Sequence, residues 1–323
     1  MALQLIYTFD DLDFEMMVLG PLNQGIEIIS AQLDVKITHT NSCLKMDEDE
    51  KDKIELVLSL IKLLKRLYDE HISWTNRDVV NFIMELSDTD DYENKINELF
   101  KFSSRKTIVL NTFEGKKIYA KTISQKRYID SLNKNSIVFA VGPAGTGKTY
   151  LAVAYAVNEL KKNHINKIIV TRPVVEAGEK LGFLPGDLKE KVDPYLIPIY
   201  DAFNEFLSKE TTEKLIEKGN IEIAPLAYMR GRTLDKAIII LDEAQNTTTN
   251  QMKMFITRLG FSSKMIITGD VSQIDLAPNV NSGLVEAISL LDGIDNLSIN
   301  SFTRKDVMRH PLVSKIIERY EKL

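Results

Sequence analysis

Residues 137–160 read IVFAVGPAGTGKTYLAVAYAVNEL. The first five are apolar and largely β-branched, which reads as a buried strand. Residues 142–149 fit the pattern G-x-x-x-x-G-K-[ST]. From Tyr150 to Leu160 the spacing predicts a helix, so strand, glycine-rich loop and helix follow one another as a phosphate-binding loop requires. Glycines let backbone N–H groups converge on phosphate oxygens, and the helix behind them presents the positive end of its dipole. Gly142, Pro143, Ala144, Gly145, Thr146 and Gly147 therefore form the expected cradle, closed by Tyr150. Lys148 is expected to reach the β- and γ-phosphates, and the Thr149 hydroxyl to bind Mg²⁺.

Working downstream, short apolar runs recur at Lys167–Thr171, Ala237–Leu241, Met265–Thr268 and Leu297–Ile299, with helical stretches between them. This alternation predicts an α/β domain built on a parallel sheet with helices on both faces. The run 237–241 ends in Asp242-Glu243. A carboxylate at the C-terminal end of a strand beside the loop suits a metal ligand, so Asp242 joins Thr149 as the second Mg²⁺ residue. Glu243, one residue on, is the candidate general base for a water attacking the γ-phosphate. The next strand leads into Gly269-Asp270-Val271-Ser272-Gln273, where Gln273 is placed to touch that phosphate with Asp270 in support.

Upstream of the loop the charge changes sign. Residues 85–98 are acidic and weakly periodic, which reads as an exposed linker. Between 101 and 134 there are nine bases and two acids. Within that stretch, Lys106–Asn111 and Lys116–Lys121 read as a hairpin turning at Glu114-Gly115. It is either a solvated charged hairpin or a strip for a polyanion, whose affinity should fall as salt rises. Residues 3–86 read as β-α-α-β-β-α with one added helix. The expected organisation is a small α+β domain at 1–86, a linker at 87–104 and the α/β domain at 105–323.

Composition narrows the classes further. The 323 residues exceed the usual size of a single core, which favours about two domains. Hydrophobic residues at 44% and charged residues at 27% suit a folded globular chain. A net charge of −5 excludes a generally cationic coat, so nucleic acid would need a local patch. One cysteine, Cys43, and four scattered histidines exclude an intrachain disulfide and argue against zinc. Absent a long apolar run or a cationic leader, no membrane association and a cytoplasmic location are expected.

The motifs together resemble the PhoH-like family of P-loop ATPases and, more broadly, superfamily 1 helicases with a RecA-like core. The carriers are the loop at 142–149, Asp242-Glu243-Ala244-Gln245 and Gly269-Asp270-Val271-Ser272-Gln273. Thr171-Arg172-Pro173, Tyr228 to Thr233 and Thr303 to Pro311 add to them. The resemblance covers about residues 105–323 and implies ATP hydrolysis coupled to RNA. It implies that Gln125 reads adenine, since an amide both donates and accepts. It offers Arg304 and Arg309 as arginines for the γ-phosphate. Arg230 and Arg232 are open between a phosphate or RNA contact and a surface ion pair. The first domain resembles a KH-like module, although Gly20 to Gly25 contains neither G-x-x-G nor a basic residue. One RecA-like lobe in this length implies an arginine supplied by a neighbouring copy, hence a ring-like homo-oligomer, a hexamer by the resemblance. An RNA-processing nuclease is the implied partner. Two other activities fit a P-loop: a small-molecule kinase, disfavoured by groups that suit water attack, and a nucleotide-dependent switch, disfavoured by Glu243.

Overall fold

Alternation of side chains along short apolar strands allows one sheet to feed two cores, and the second half of this chain is built that way. The structure is a computed structural model that describes residues 3–105, 107–173 and 188–307, the side chains of 188–196 excepted, together with 313, 316, 319 and 320. The chain divides into a unit at 1–106 and a unit at 107–323.

The first unit contains β1 (Leu3–Thr8), α1 (Leu12–Leu19), α2 (Gln24–Leu33), β2 (Thr38–Thr40), β3 (Cys43–Asp47), α3 (Lys51–Asp69), α4 (Asn76–Leu86) and α5 (Tyr92–Ser104). Its antiparallel sheet has the order β1-β3-β2. The expected β-α-α-β-β-α succession is present. The acidic stretch is not the exposed linker expected, however, because 92–104 is helix α5 with a buried face. Asp91 caps it by accepting from the Asn94 N–H at 3.2 Å, and Ile96 and Leu99, three residues apart, are buried. Opposite charges neutralise the acids: Lys62 pairs with Glu93, and Lys95 with Glu85 and Glu98. Arg66 on α3 stacks over the Phe100 ring at 3.9 Å.

The second unit opens with the hairpin β4 (Ile108–Asn111) and β5 (Lys117–Tyr119), followed by α6 (Ile123–Lys134) and β6 (Ile137–Val141). Then come α7 (Lys148–Lys161), β7 (Lys167–Arg172), α8 (Leu188–Leu207), α9 (Lys209–Glu217), β8 (Ile221–Pro225) and β9 (Ala237–Leu241). The series ends with α10 (Thr249–Ile256), β10 (Lys264–Gly269), α11 (Gly283–Leu291) and β11 (Leu297–Ser301). Six strands pair in parallel in the order β11-β6-β10-β9-β7-β8, a RecA-like α/β sheet. Val138, Ala140, Ile168, Val170, Ile238 and Ile240 face one core with α6, α7 and α8. Their neighbours Phe139, Val141, Ile169, Ile239 and Leu241 face the other, with α10 and α11. Insertion of β10 between β6 and β9 sets Gly269 level with Val141 and Ile267 level with Leu241. The loops after three central strands therefore meet at one edge.

One half-buried cation beside this core gives a pH prediction. Lys264 donates to the Asn135 carbonyl and lies over the Tyr155 ring, and burial pushes its ammonium down to about 8. An unfolded lysine keeps its proton to about pH 10.4. Between those values the unfolded chain binds more protons, so stability rises with pH across that window and is lost again on acidification. Melting curves should show the rise in the wild type and a smaller one in Lys264→Met, with the variant more stable at neutral pH.

Candidate functional site

The glycine-rich loop joins β6 to α7, and two of its glycines are required by their surroundings. Gly142 has φ 146°, and a Cβ there would lie 2.2 Å from the Phe302 carbonyl oxygen. Gly147 has φ 83°, and a Cβ there would lie 3.1 Å from Gln125 Nε2. Lys148 is buried, and its Nζ donates to the carbonyls of Gly142 at 2.7 Å and Pro143 at 2.8 Å. Burial pushes its ammonium below the ordinary lysine range, and the charges of Asp270, Asp242 and Glu243 oppose that.

Asp242 follows β9 and is nearly buried. Its Oδ1 accepts from the Thr149 hydroxyl at 2.7 Å and from the Thr268 hydroxyl at 2.7 Å. Glu243 sits beside it in the left-handed region, φ 52°, a conformation that costs a side-chain-bearing residue about 1–2 kcal/mol. The strain turns the chain sharply into the 3-10 turn Ala244–Asn246 and leaves the carboxylate at the pocket. Asp270 gathers the third loop. Its Oδ2 accepts from Gln273 Nε2 at 2.8 Å and from the Ala144 N–H at 3.2 Å. Lys148, Thr149, Asp242, Glu243, Asp270 and Gln273 thus line one pocket of about 260 Å³.

A second pocket of about 520 Å³ adjoins the loop and shares Gly145, Gly147 and Tyr150 with the first. Gln125 lines it and is almost fully buried. Its amide accepts from the Lys121 N–H at 2.7 Å and donates to the Thr146 carbonyl at 3.0 Å, so it braces the loop directly. Lys116, Lys117 and Lys121 stand on the same pocket wall. Tyr150 donates its phenol hydrogen to Glu205 at 3.0 Å.

Other expected residues lie apart. Arg304 is exposed on a 3-10 turn, Arg304–Asp306, outside the lining of the 260 Å³ pocket. Arg309 falls outside the described residues. Arg232 makes a surface ion pair, its two terminal nitrogens donating to Glu222 at 2.6 and 2.9 Å. It lines a pocket with Lys167 and Ala237, at the strand ends opposite the loop.

The family model described as PhoH-like protein matches residues 117–321. The chain belongs to the PhoH-like family. A PhoH-like protein of Bacillus subtilis (strain 168) is 50% identical over 311 residues, covering 96% of this chain and 95% of that one. A PhoH-like protein of Mycobacterium tuberculosis (strain ATCC 25618 / H37Rv) is 57% identical over 66% of this chain and 61% of its own length. Protein PhoH of Escherichia coli (strain K12) is 42% identical over 63% of this chain and 58% of its own length. The family and the P-loop fold together make this PhoH-like chain a P-loop nucleotide-binding protein. Among the described residues no helix is long and apolar enough to cross a membrane.

Three residues of this PhoH-like chain reach the site without having been given a role from sequence. Thr268 shares the Asp242 oxygen. Arg172 Nη2 donates to Glu243 Oε1 at 2.7 Å and lies 3.4 Å from Asp242 Oδ2. Gln245 Nε2 donates to Glu243 Oε2 at 2.6 Å, while its Oε1 accepts from the Asp270 N–H at 3.0 Å. Each stands at or just beyond the C-terminal end of a strand, and that position is the signal a sequence reading could have used.

Proposed function

We propose that the chain is a Mg²⁺-dependent ATPase whose turnover is coupled to binding and remodelling of single-stranded RNA. The observation that carries the hydrolytic part is the 2.7 Å separation of Thr149 Oγ1 and Asp242 Oδ1 in the pocket that also holds Lys148 and Glu243. A hydroxyl and a carboxylate that close are hard oxygen donors suited to Mg²⁺, an ion that takes its remaining ligands from water and phosphate. Among the described residues no group of three or more His, Cys, Asp or Glu could hold a metal ion, which agrees with so sparse a protein share. Thr149 and Asp242 would hold the ion, and it would supply charge neutralisation on the phosphates.

The chain's own groups supply the rest. Lys148 exchanges its loop carbonyls for phosphate oxygens, as a charge-assisted donor. Glu243 accepts a proton from the attacking water. The water oxygen bonds to the γ-phosphorus, the bond to the β–γ bridging oxygen breaks, and ADP and phosphate leave. Gln273, held by Asp270, faces the same pocket and is the candidate sensor of the γ-phosphate. Gln125, with the second pocket beside it, is the candidate adenine site. Arg304 stands outside the phosphate pocket, which supports supply of an arginine by a neighbouring copy in a ring, hexameric by family resemblance.

Support for RNA rests on the bases of the second unit. Lys116 pairs with Glu205 and Lys126 with Asp130, and Lys117 and Lys134 are exposed in the same basic stretch. The first unit is less suited. A pocket of about 750 Å³ in it carries Glu27, Asp34, Asp47 and Glu50 against Lys36. Phosphate release measured with and without poly(U), across a salt series, tests the coupling. Stimulation that fades as salt rises is expected, because basic contacts to phosphate release counterions. A rate indifferent to RNA at low salt would remove the RNA half of the proposal.

A further inference from the structure

The 520 Å³ pocket is walled by two separate pieces of chain. Lys116, Ile118 and Tyr119 come from β5 and the residue before it, and Gly147, Tyr150 and Leu151 from the loop and α7. Glu205, in the last turn of α8, lies outside the lining of both nucleotide pockets, yet it bonds to one residue of each wall. Its Oε1 accepts from Lys116 Nζ at 2.6 Å and from the Tyr150 hydroxyl at 3.0 Å. A carboxylate oxygen has two lone pairs, so one atom takes both donors. Burial would raise the Glu205 carboxyl, but the bonds from Lys116 and Tyr150 and the charges of Lys116 and Lys121 hold it below the ordinary range. Burial and the neighbouring Glu205 push the Tyr150 phenol up, so the tyrosine keeps its proton and stays the donor.

Tyr150 is thereby fixed at two points. Its ring packs edge-on against the buried Phe206 with centroids 4.9 Å apart, and its hydroxyl is held by Glu205. The hairpin has another tie to α8 that does not pass through Glu205: Lys161 Nζ donates to the Asn111 carbonyl at 3.1 Å and to the Phe206 carbonyl at 3.4 Å. The Lys116 side chain is 62% exposed, so its ion pair adds little to stability. Glu205 therefore matters less for holding the hairpin down than for joining Tyr150 to Lys116 through a single atom, which sets the spacing of the two walls.

We propose that Glu205 is a positioning residue that sets the width of this pocket for a nucleotide base, and so determines how tightly the nucleoside part of ATP is held. This rests on the reading given above in which the base enters the second pocket.

The test uses the full chain carrying Glu205→Ala, Glu205→Gln, Tyr150→Phe, or Glu205→Ala with Tyr150→Phe. Calorimetry measures binding of the non-hydrolysable analogue AMP-PNP and, by displacement, of inorganic tripolyphosphate, each with Mg²⁺. Tripolyphosphate engages the phosphate pocket alone. For Glu205→Ala, AMP-PNP affinity should fall roughly tenfold, the lower end for a hydrogen bond to a charged group, with tripolyphosphate affinity within about twofold of wild type. Glu205→Gln keeps an acceptor without the charge, so it should lose less, and it carries the test if the alanine variant does not fold. Tyr150→Phe should show the same selective loss, and the double variant should be little worse than Glu205→Ala, because both changes remove one link. Unchanged AMP-PNP affinity in both Glu205 variants overturns the proposal. So does an equal weakening of both ligands, which is what a general loosening of the fold would give. Additive losses in the double variant overturn the route through Tyr150. Failure of the underlying reading looks different: the wild type itself would bind AMP-PNP no more tightly than tripolyphosphate.

Discussion

Glu243→Gln should bind ATP with nearly wild-type affinity and hydrolyse it two to four orders of magnitude more slowly, roughly the contribution of a positioned general base. The amide has the shape of the carboxylate but cannot take a proton from water. Asp242, the carboxylate held by Thr149 and Thr268, is untouched by the change, so the groups expected to hold the nucleotide and the metal stay in place. The contrast with a purely structural role is sharp. If Glu243 served only to pair with Arg172, its loss would cost the small amount of a partly exposed ion pair and leave the rate near normal. Single-turnover phosphate release and equilibrium nucleotide binding on one preparation separate the two cases.

Lys148→Ala should fail earlier, at binding. The ammonium is buried with two loop carbonyls as its nearest partners, and the loop contains no second cation. Loss of one or two charge-assisted bonds to phosphate should weaken ATP binding roughly 10- to 100-fold. The rate at saturation should fall at least as far, because the same cation meets charge that grows as the γ-phosphate departs. Arg in its place should not rescue, since the planar fork does not fit a space only 8% exposed. Titration with a fluorescent ATP analogue checks the first effect. If affinity stayed at the wild-type level, Lys148 would be a loop brace and nothing more.

The second unit was legible because its strands are buried on both faces. IVFAV, KIIVT and AIIIL are runs that water-facing strands do not show, and the loop at 142–149 is contiguous. β8 was harder. Ile221-Glu222-Ile223 alternates at the sheet edge and ends in Pro225, so it lacks the continuous apolar run that marks the inner strands. Helix α5 was misread because the acids of 85–98 were weighed as composition, whereas Ile96 and Leu99 carry the packing.

The same division holds at the site. Lys148 and Thr149 are local to one loop. The grouping of Thr268, Arg172 and Gln245 around Asp242 and Glu243 depends on β9 lying between β10 and β7. Strand order is set by packing across more than a hundred residues, and no short window of sequence contains it. Gln125 shows the opposite limit. The family resemblance pointed to its amide as an adenine reader, yet both ends of that amide are also engaged by backbone, the Lys121 N–H at one end and the loop carbonyl of Thr146 at the other.

Phosphate release from MgATP by the purified 323-residue chain tests the site most directly. Inorganic phosphate should accumulate linearly, stop when EDTA removes the magnesium, and be nearly absent from Glu243→Gln. A folded, nucleotide-binding preparation that releases none, or that passes the label to an organic acceptor, would contradict the assignment of Glu243 and with it the hydrolytic reading.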